Sequence, residues 1–224
     1  MPWPWKAGLL NSKRLSESPG LDDRLVDRAS ALSTATIHEV GGRRGALPAN
    51  IRALDKGMHC AGRALPVRCP RGDNLWIHYA LDAAEPGDVL VVDAGVGGEF
   101  GYWGEIMASM AIARKLAGVV IFGGVRDSSR LIELGLPTFS SCVSILGTGK
   151  DTTLDGAVGE PVRIGEIVVR RGDLVIGDAD GVASFPAAQA AELISASEER
   201  DAKEAKVIEQ LKQGASTLDV YNFN

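Results

Sequence analysis

The sequence predicts an α/β fold. Two continuous apolar runs, Val89–Val92 and Val119–Phe122, flank a segment with helical spacing, and beyond Ser128 the pattern changes to short strand-like runs separated by turns. The strand–helix–strand order is the signature of a βαβ unit, a parallel pair joined by a right-handed crossover.

Taken in order, residues 1–20 are rich in Pro, Ser and Gly, carry Trp3 and Trp5, and read as an N-terminal arm; residues 21–224 follow as a single domain without an internal repeat or linker. Leu21–Leu32 has helical spacing at Leu21, Leu25, Val26, Ala29 and Leu32. Gly41–Gly45 is a loop, Met58–Val67 a strand and Pro70–Asp73 the turn after it. Leu75–Ala84 reads as a helix, and Glu85-Pro86-Gly87-Asp88 is the turn before the first apolar run. A glycine-rich loop, Gly95–Gly104, leads to a helix over Glu105–Ala117, with Ile106, Met110, Ala113 and Ala117 on one side and Gly118 as its stop. The second apolar run ends at Gly123-Gly124-Val125-Arg126-Asp127. A short helix at Arg130–Leu134 precedes strands near Thr138–Val143, Val162–Val169, Leu174–Ile176 and Val182–Phe185, with turns at Gly172-Asp173 and Asp180-Gly181. Ala187–Gln213 is a long charged helix stopped by Gly214.

Composition narrows the function classes. In 224 residues, 24 basic side chains stand against 29 acidic ones, a net charge of -5, which argues against non-specific nucleic-acid binding because phosphate neutralisation needs clustered Lys and Arg. The cysteines, Cys60, Cys69 and Cys142, are odd in number and widely spaced, which points to a reducing, cytoplasmic setting rather than a disulfide framework. No apolar run approaches the roughly 20 residues that span a bilayer.

Ligands of open α/β sheets bind beyond the carboxyl ends of strands. Two such ends, Asp93–Gly104 and Gly123–Asp127, face one crevice if their strands are neighbours. The helix after Gly104 then aims the amides of Glu105, Ile106 and Met107 at it, a positive dipole end suited to a carboxylate or phosphate, and Gly104 permits close approach. Arg126 has the fork that grips a carboxylate, Asp127 is a hard oxygen ligand, and Glu105 reaches the same ion through water. With only His38, His59 and His78 in the chain, a multi-histidine zinc site is disfavoured. Blander readings stand beside these. An Arg-Asp pair after a strand is also the pattern of a surface ion pair, the glycines also make a flexible loop, and His38-Glu39 is also a structural pair. Gly95-Val96-Gly97-Gly98-Glu99-Phe100 does not complete a dinucleotide-binding G-x-G-x-x-G.

Gly101-Tyr102-Trp103-Gly104-Glu105, the strand Gly118–Gly124 and the turn Val125-Arg126-Asp127 resemble the 4-hydroxy-4-methyl-2-oxoglutarate/4-carboxy-4-hydroxy-2-oxoadipate aldolases, class II pyruvate aldolases that share a fold with the ribonuclease regulator RraA. The similarity begins near Thr36 and takes in Gly72-Asp73-Asn74, Pro86–Val92, Gly172-Asp173, Asp178–Val182, Arg200–Glu204 and Leu218–Tyr221. It implies an RraA-like layered αββα domain with the βαβ unit at the active site and a long C-terminal helix. It also implies a Mg2+ or Mn2+ ion held directly by Asp127. Glu105, a glutamate where relatives often have aspartate, and Glu204 from a neighbouring subunit reach the ion through water. The amides at Glu105, Ile106 and Met107 take the pyruvate carboxylate beside Gly104, Arg126 bridges substrate oxygens, and Asn74 lines the pocket. A homotrimer or homohexamer is implied as well.

The reaction implied is retro-aldol cleavage of a 4-hydroxy-2-oxo diacid to pyruvate and a second keto acid, with oxaloacetate decarboxylation as a side activity through the same enolate. A water on the ion, or Glu39, takes the 4-hydroxyl proton. A Schiff-base route needs an apolar lysine, which neither Lys115 nor Lys150 supplies. The alternative is a non-catalytic regulator that binds an endoribonuclease. The C4 substituent, Mg2+ against Mn2+, and trimer against hexamer stay open.

Overall fold

The unbroken apolar runs are unbroken because both faces of their strands are covered. Val89 and Val91 point to one side and Leu90 and Val92 to the other, and all four are fully buried. The computed structural model describes residues 21–95 and 98–223; the expected N-terminal arm lies outside the described residues.

The elements run α1 (Asp23–Ala29), α2 (Thr34–Val40), β1 (Arg52–Ala53), β2 (Cys60–Arg68), α3 (Leu75–Ala83), β3 (Asp88–Asp93), β4 (Gly101–Trp103), α4 (Glu105–Ala113) and β5 (Gly118–Val125). They continue as α5 (Ser128–Leu134), β6 (Thr138–Val143), β7 (Ala157–Val158), β8 (Val162–Ile164), β9 (Ile167–Val169), β10 (Leu174–Asp178), β11 (Gly181–Phe185), α6 (Ala187–Lys212) and α7 (Thr217–Val220). Among the described residues a mixed sheet has the order β1-β6-β5-β3-β2-β10-β11, with β4 beside β5 and β7 beside β2. β2, β3, β5 and β6 are parallel neighbours; β10, β11 and β1 join antiparallel. The expected parallel β3–β5 pair across α4 is present, with Val91 opposite Val120. The two ends of the order meet: β1 packs on β11, and Arg52 donates to the Asp180 carbonyl, so the sheet nearly closes on itself.

Three cores follow from this closure. The inner one joins Val89, Val91, Val120, Phe139 and Val175 under the β8–β9 hairpin. On one outer face α3, α4 and α5 bury Ile77, Met107, Ala111 and Leu131 against Leu90 and Ile121. On the other, α1, α2 and α6 bury Ala29, Ile37 and Ile194 against Leu174 and Ile176. α2 is tied to β10 by Asp178, which accepts from the Thr34 amide at 2.8 Å and the Thr34 hydroxyl at 2.5 Å.

Several expectations need correction. Val162–Val169 is a hairpin rather than one strand, turning at Gly165, whose φ of +59° suits glycine. α4 stops at Ala113, before Lys115 turns left-handed, rather than running to Ala117. Its buried side is Met107, Ala108 and Ala111, whereas Ile106 and Met110 are exposed. The helices α2 and α7 and the short strands β1, β4 and β7 had not been anticipated. The long C-terminal helix is present over Ala187–Lys212, with Gly214 at φ +99° just past its end. Among the described residues no helix is long and apolar enough to cross a membrane.

Gly62 on β2 tests the packing. A Cβ there meets the Gly87 carbonyl oxygen at 2.5 Å and Val89 Cγ2 at 2.8 Å. Gly62→Ala is expected to cost about 2 kcal/mol, the usual overpacking penalty. In urea unfolding this is a lowered midpoint at constant slope; an unchanged midpoint contradicts the β2–β3 contact described here.

Candidate active site

The site is assembled by a strand of three residues, β4. β4 pairs in parallel with the end of β5, Gly101 opposite Gly124 and Trp103 opposite Val125. The Arg126 amide donates to the Trp103 carbonyl at 2.8 Å. Because Gly104 and Glu105 follow β4 directly and Arg126 and Asp127 follow β5 directly, this pairing brings the start of α4 against the Arg-Asp turn. Tyr102 and Trp103 are fully buried and anchor β4; the Tyr102 hydroxyl also accepts from the Gly72 amide at 2.8 Å.

Asp127 adopts a left-handed backbone, φ 56° and ψ 34°, a conformation costly for most residues other than Gly, Asn and Asp. It occupies the cap position of α5 but does not cap it. Its Oδ2 instead accepts from the Glu105 amide at 3.1 Å, so the carboxylate sits on the positive end of α4. Arg126 Nε lies 3.8 Å from the same oxygen. Gly104 is extended, so its need for glycine is spatial: a Cβ would stand 2.5 Å from Asp127 Oδ2 and 3.2 Å from Arg126 Cγ. The first bond of the α4 ladder is Ala108 amide to Gly104 carbonyl, at 3.0 Å. The amides of Glu105, Ile106 and Met107 therefore precede the ladder. In contrast to expectation only the latter two remain available, because Asp127 holds that of Glu105.

These residues border a cleft of about 100 Å³ lined by Gly104, Ile106, Met107, Arg126, Asp127 and Asn74, together with Gly101, Tyr102, His78 and Lys150. Asn74 is buried; its Nδ2 donates to the Tyr102 carbonyl at 2.8 Å, while its Oδ1 has no partner. His78 stands one helical turn after Asn74 on α3, and its Nε2 is buried without a partner. Burial holds the His78 pKa below the ordinary histidine value, helped by Lys150 and opposed by Asp73. Sequence reasoning missed His78 as a site residue. The four-residue spacing from Asn74, which puts both on one helix face, was the available signal. The sequence offers Lys150 only as a candidate Schiff-base lysine.

Other expected residues lie differently. The Glu105 carboxylate pairs with Arg130 at 3.2 Å. Glu204 on α6 pairs with Arg200 at 2.7 Å and does not line the cleft of its own chain. Glu39 on α2 pairs with Arg43 in the turn after that helix and is likewise outside the cleft. A larger hollow of about 240 Å³, lined by Thr34, His38 and Asp180, has no orphaned buried polar atom among its described lining side chains. Burial pushes the Cys60 and Cys69 thiols up to about 12, which removes them as thiolate nucleophiles at neutral pH.

For a metal ion the donor set is the deciding observation. Asp127 and Glu105 are both partly exposed, and among the described residues no group of three His, Cys, Asp or Glu converges. One or two carboxylates with room for water suit a hard, hydrated ion such as Mg2+ or Mn2+ and do not suit a closed zinc site.

The family model described as RraA-like, aldolase/RraA, matches residues 22–183. The chain belongs to the RraA-like family. A Halalkalibacterium halodurans protein named "Putative 4-hydroxy-4-methyl-2-oxoglutarate aldolase" is 32% identical over 70% of this chain and 73% of its own length. One of the same name from Bacillus anthracis is 31% identical over 58% of this chain and 80% of its own. Among solved structures, an uncharacterized Pseudomonas syringae protein superposes with a TM-score of 0.84 at 26% identity, covering 93% of this RraA-like chain and 97% of that one. Streptomyces coelicolor RraAS2, described as an unusual member of the RNase ES inhibitor RraA family, superposes with a TM-score of 0.73 at 28% identity, covering 84% and 98%.

The His78 environment has a direct test. Its imidazole is expected to titrate below the ordinary histidine midpoint by NMR, and Lys150→Met is expected to move that midpoint upward by removing a neighbouring cation. A midpoint at the ordinary value, or one indifferent to Lys150, contradicts this arrangement.

Proposed function

We propose that this chain is a divalent-metal-dependent pyruvate aldolase. It cleaves 4-hydroxy-2-oxo diacids, such as 4-hydroxy-4-methyl-2-oxoglutarate or 4-carboxy-4-hydroxy-2-oxoadipate, to pyruvate and a second keto acid, and decarboxylates oxaloacetate as a side reaction. The observation that carries the reading is the Asp127 carboxylate held at the head of α4 beside Arg126, inside one cleft. The names of the aldolase relatives support it.

In this reading Asp127, with Glu105 through water, holds Mg2+ or Mn2+. The ion, when bound, supplies a Lewis acid for the 2-oxo group and charge for the enolate. The Ile106 and Met107 amides, at the positive end of α4, take the carboxylate of the pyruvate half. Arg126 spans the substrate oxygens with two donors and stabilises the negative charge that grows on the 2-oxo oxygen. As the C3–C4 bond breaks, its electron pair passes into the pyruvate half, the 4-hydroxyl gives up its proton and becomes the new carbonyl, and C3 is protonated to give pyruvate. Oxaloacetate loses carbon dioxide to the same enolate, so the same residues serve both reactions.

The site is also read as shared between subunits of a trimer or hexamer in the cytoplasm. Ile106, Met110 and Ile112 on α4, Ile132 on α5, Val143 at the end of β6 and Ile145 just after it are exposed apolar side chains, and Ile106 lines the cleft, which supports a second copy packing there. Glu204, outside its own cleft, then enters a neighbour's. A second reading, a non-catalytic ring that binds an endoribonuclease, is favoured by the likeness to RraAS2.

Pyruvate release from oxaloacetate and from 4-hydroxy-4-methyl-2-oxoglutarate with Mg2+ or Mn2+ separates the two. The aldolase reading expects turnover that EDTA abolishes; binding to an endoribonuclease with no turnover favours the regulator. Asp127→Ala is expected to abolish turnover, and full activity in that variant sinks the metal assignment. Arg126→Lys is expected to lower kcat/KM about 100-fold, because a point charge does not replace the fork; an unchanged value places Arg126 away from substrate. Mixing the inactive Asp127→Ala and Glu204→Ala chains under subunit exchange is expected to restore activity, and a mixture that stays inactive contradicts a shared site.

A further inference from the structure

The aldolase reading uses the wall of the cleft formed by α4 and the Arg126-Asp127 turn, and on the wall formed by α3 and the loop after β6 it takes in Asn74 alone. The rest of that wall is left over, and its composition is specific. Asn74 and His78 each present a buried polar atom with no partner, and Lys150 stands beside them. Orphaned buried polar atoms are uncommon in folded proteins and mark places where a ligand or water completes the bonding.

Lys150 is exposed, but its backbone is fixed on both sides. The Gly149 amide donates to the Gly72 carbonyl at 2.7 Å, and the Asn74 amide donates to the Gly149 carbonyl at 3.2 Å. The Asp151 amide donates to Asp73 Oδ2 at 2.6 Å, and Asp73 is itself buried, its Oδ1 accepting from the Leu75 amide at 2.9 Å. A loop with little regular structure is thus stitched to the start of α3 at the one place that sets Lys150 at the cleft. A lysine that served only solubility would need no such stitching. Among the described residues Lys150 forms no ion pair. With the Asp127 carboxylate given to the ion in that reading, the remaining charged side chains of the cleft are two cations, Arg126 and Lys150, and the α4 amides add further positive potential. One carboxylate of a bound molecule satisfies the α4 end, and a second is needed to satisfy Lys150.

We propose that Lys150, with the His78 and Asn74 side chains beside it, forms a second anion subsite that takes the distal carboxylate of a 2-oxo diacid and so determines the preference for diacids over monoacids. The inference rests on the aldolase reading for the placement of the first carboxylate. It assigns Lys150 a substrate-binding role distinct from Schiff-base chemistry, which the cleft does not call for. His78, whose pKa burial and Lys150 hold below the ordinary histidine value, contributes a hydrogen bond from its unpartnered Nε2. The bond of Asn74 Nδ2 to the Tyr102 carbonyl fixes the side-chain amide and leaves its buried Oδ1 to accept from a substrate hydroxyl.

The test is a binding comparison that needs no turnover. The full chain, saturated with Mg2+, is titrated calorimetrically with 2-oxoglutarate and with 2-oxopentanoate, which differ only by a carboxylate in place of a methyl group. The wild type is expected to bind 2-oxoglutarate about tenfold more tightly or better, as one charge-assisted contact supplies. Lys150→Met is expected to bring the two within about twofold while leaving 2-oxopentanoate unchanged, and Lys150→Arg to retain most of the preference. No preference in the wild type, no measurable binding of either acid, or a preference that survives Lys150→Met overturns the subsite. Pyruvate release is measured on the same chains. A diacid preference that depends on Lys150 without any turnover removes the aldolase and keeps the subsite; turnover and binding both indifferent to Lys150 remove the subsite and keep the aldolase.

Discussion

A single hydrogen bond organises the cleft: the first amide of α4 donates to the carboxylate of Asp127, across 22 residues of chain. For that bond to form, Asp127 must take a left-handed backbone and forgo capping its own helix, and Gly104 must have no side chain. The arrangement leaves one carboxylate oxygen on a helix dipole and sets the guanidinium of Arg126 beside it. Aspartate is among the few residues that tolerate this backbone, and the surroundings hold it there. β4 locks the backbone on one side, and the buried β5 holds it on the other.

The sheet makes that rigidity available. Strands covered on both faces cannot slide by one residue without exchanging their inner and outer apolar sets. Val89, Val91 and Val120 are committed to the inner core and Leu90, Val92 and Ile121 to the outer, so the carboxyl ends of β3 and β5 stay in register. The functional segments are then short extensions of a fixed frame, and the less regular loop carrying Lys150 is stitched to it by two backbone bonds and one from the Asp151 amide to the Asp73 carboxylate.

What could be read in the sequence divides along the same line between local and distant causes. β3 and β5 were legible because double burial writes an apolar run with no alternation. Arg126 and Asp127 were legible because they close such a run. α2 was not: Thr34, Thr36, Ile37 and Val40 favour a strand, and the Ser33 cap with burial against β10 and α6 decides for a helix. The buried side of α4 was misjudged because Ile106, Met107, Met110, Ala111 and Ile112 make the helix apolar nearly all round, so spacing alone selects no face. β4 owes its existence to pairing with β5, and Lys150 its place to bonds with residues 72–74; neither leaves a local trace.

The central claim is that Asp127, as the structure poises it, is the anchor for a hydrated divalent ion that a keto acid then shares. Water-proton relaxation of Mn2+ titrated with the full chain tests this most directly. The account predicts enhanced relaxation that saturates with the wild type, falls when oxalate takes up coordination positions occupied by water, and is absent with Asp127→Ala. Relaxation that stays at the free-ion value in the wild type, or is equal in the two chains, contradicts it.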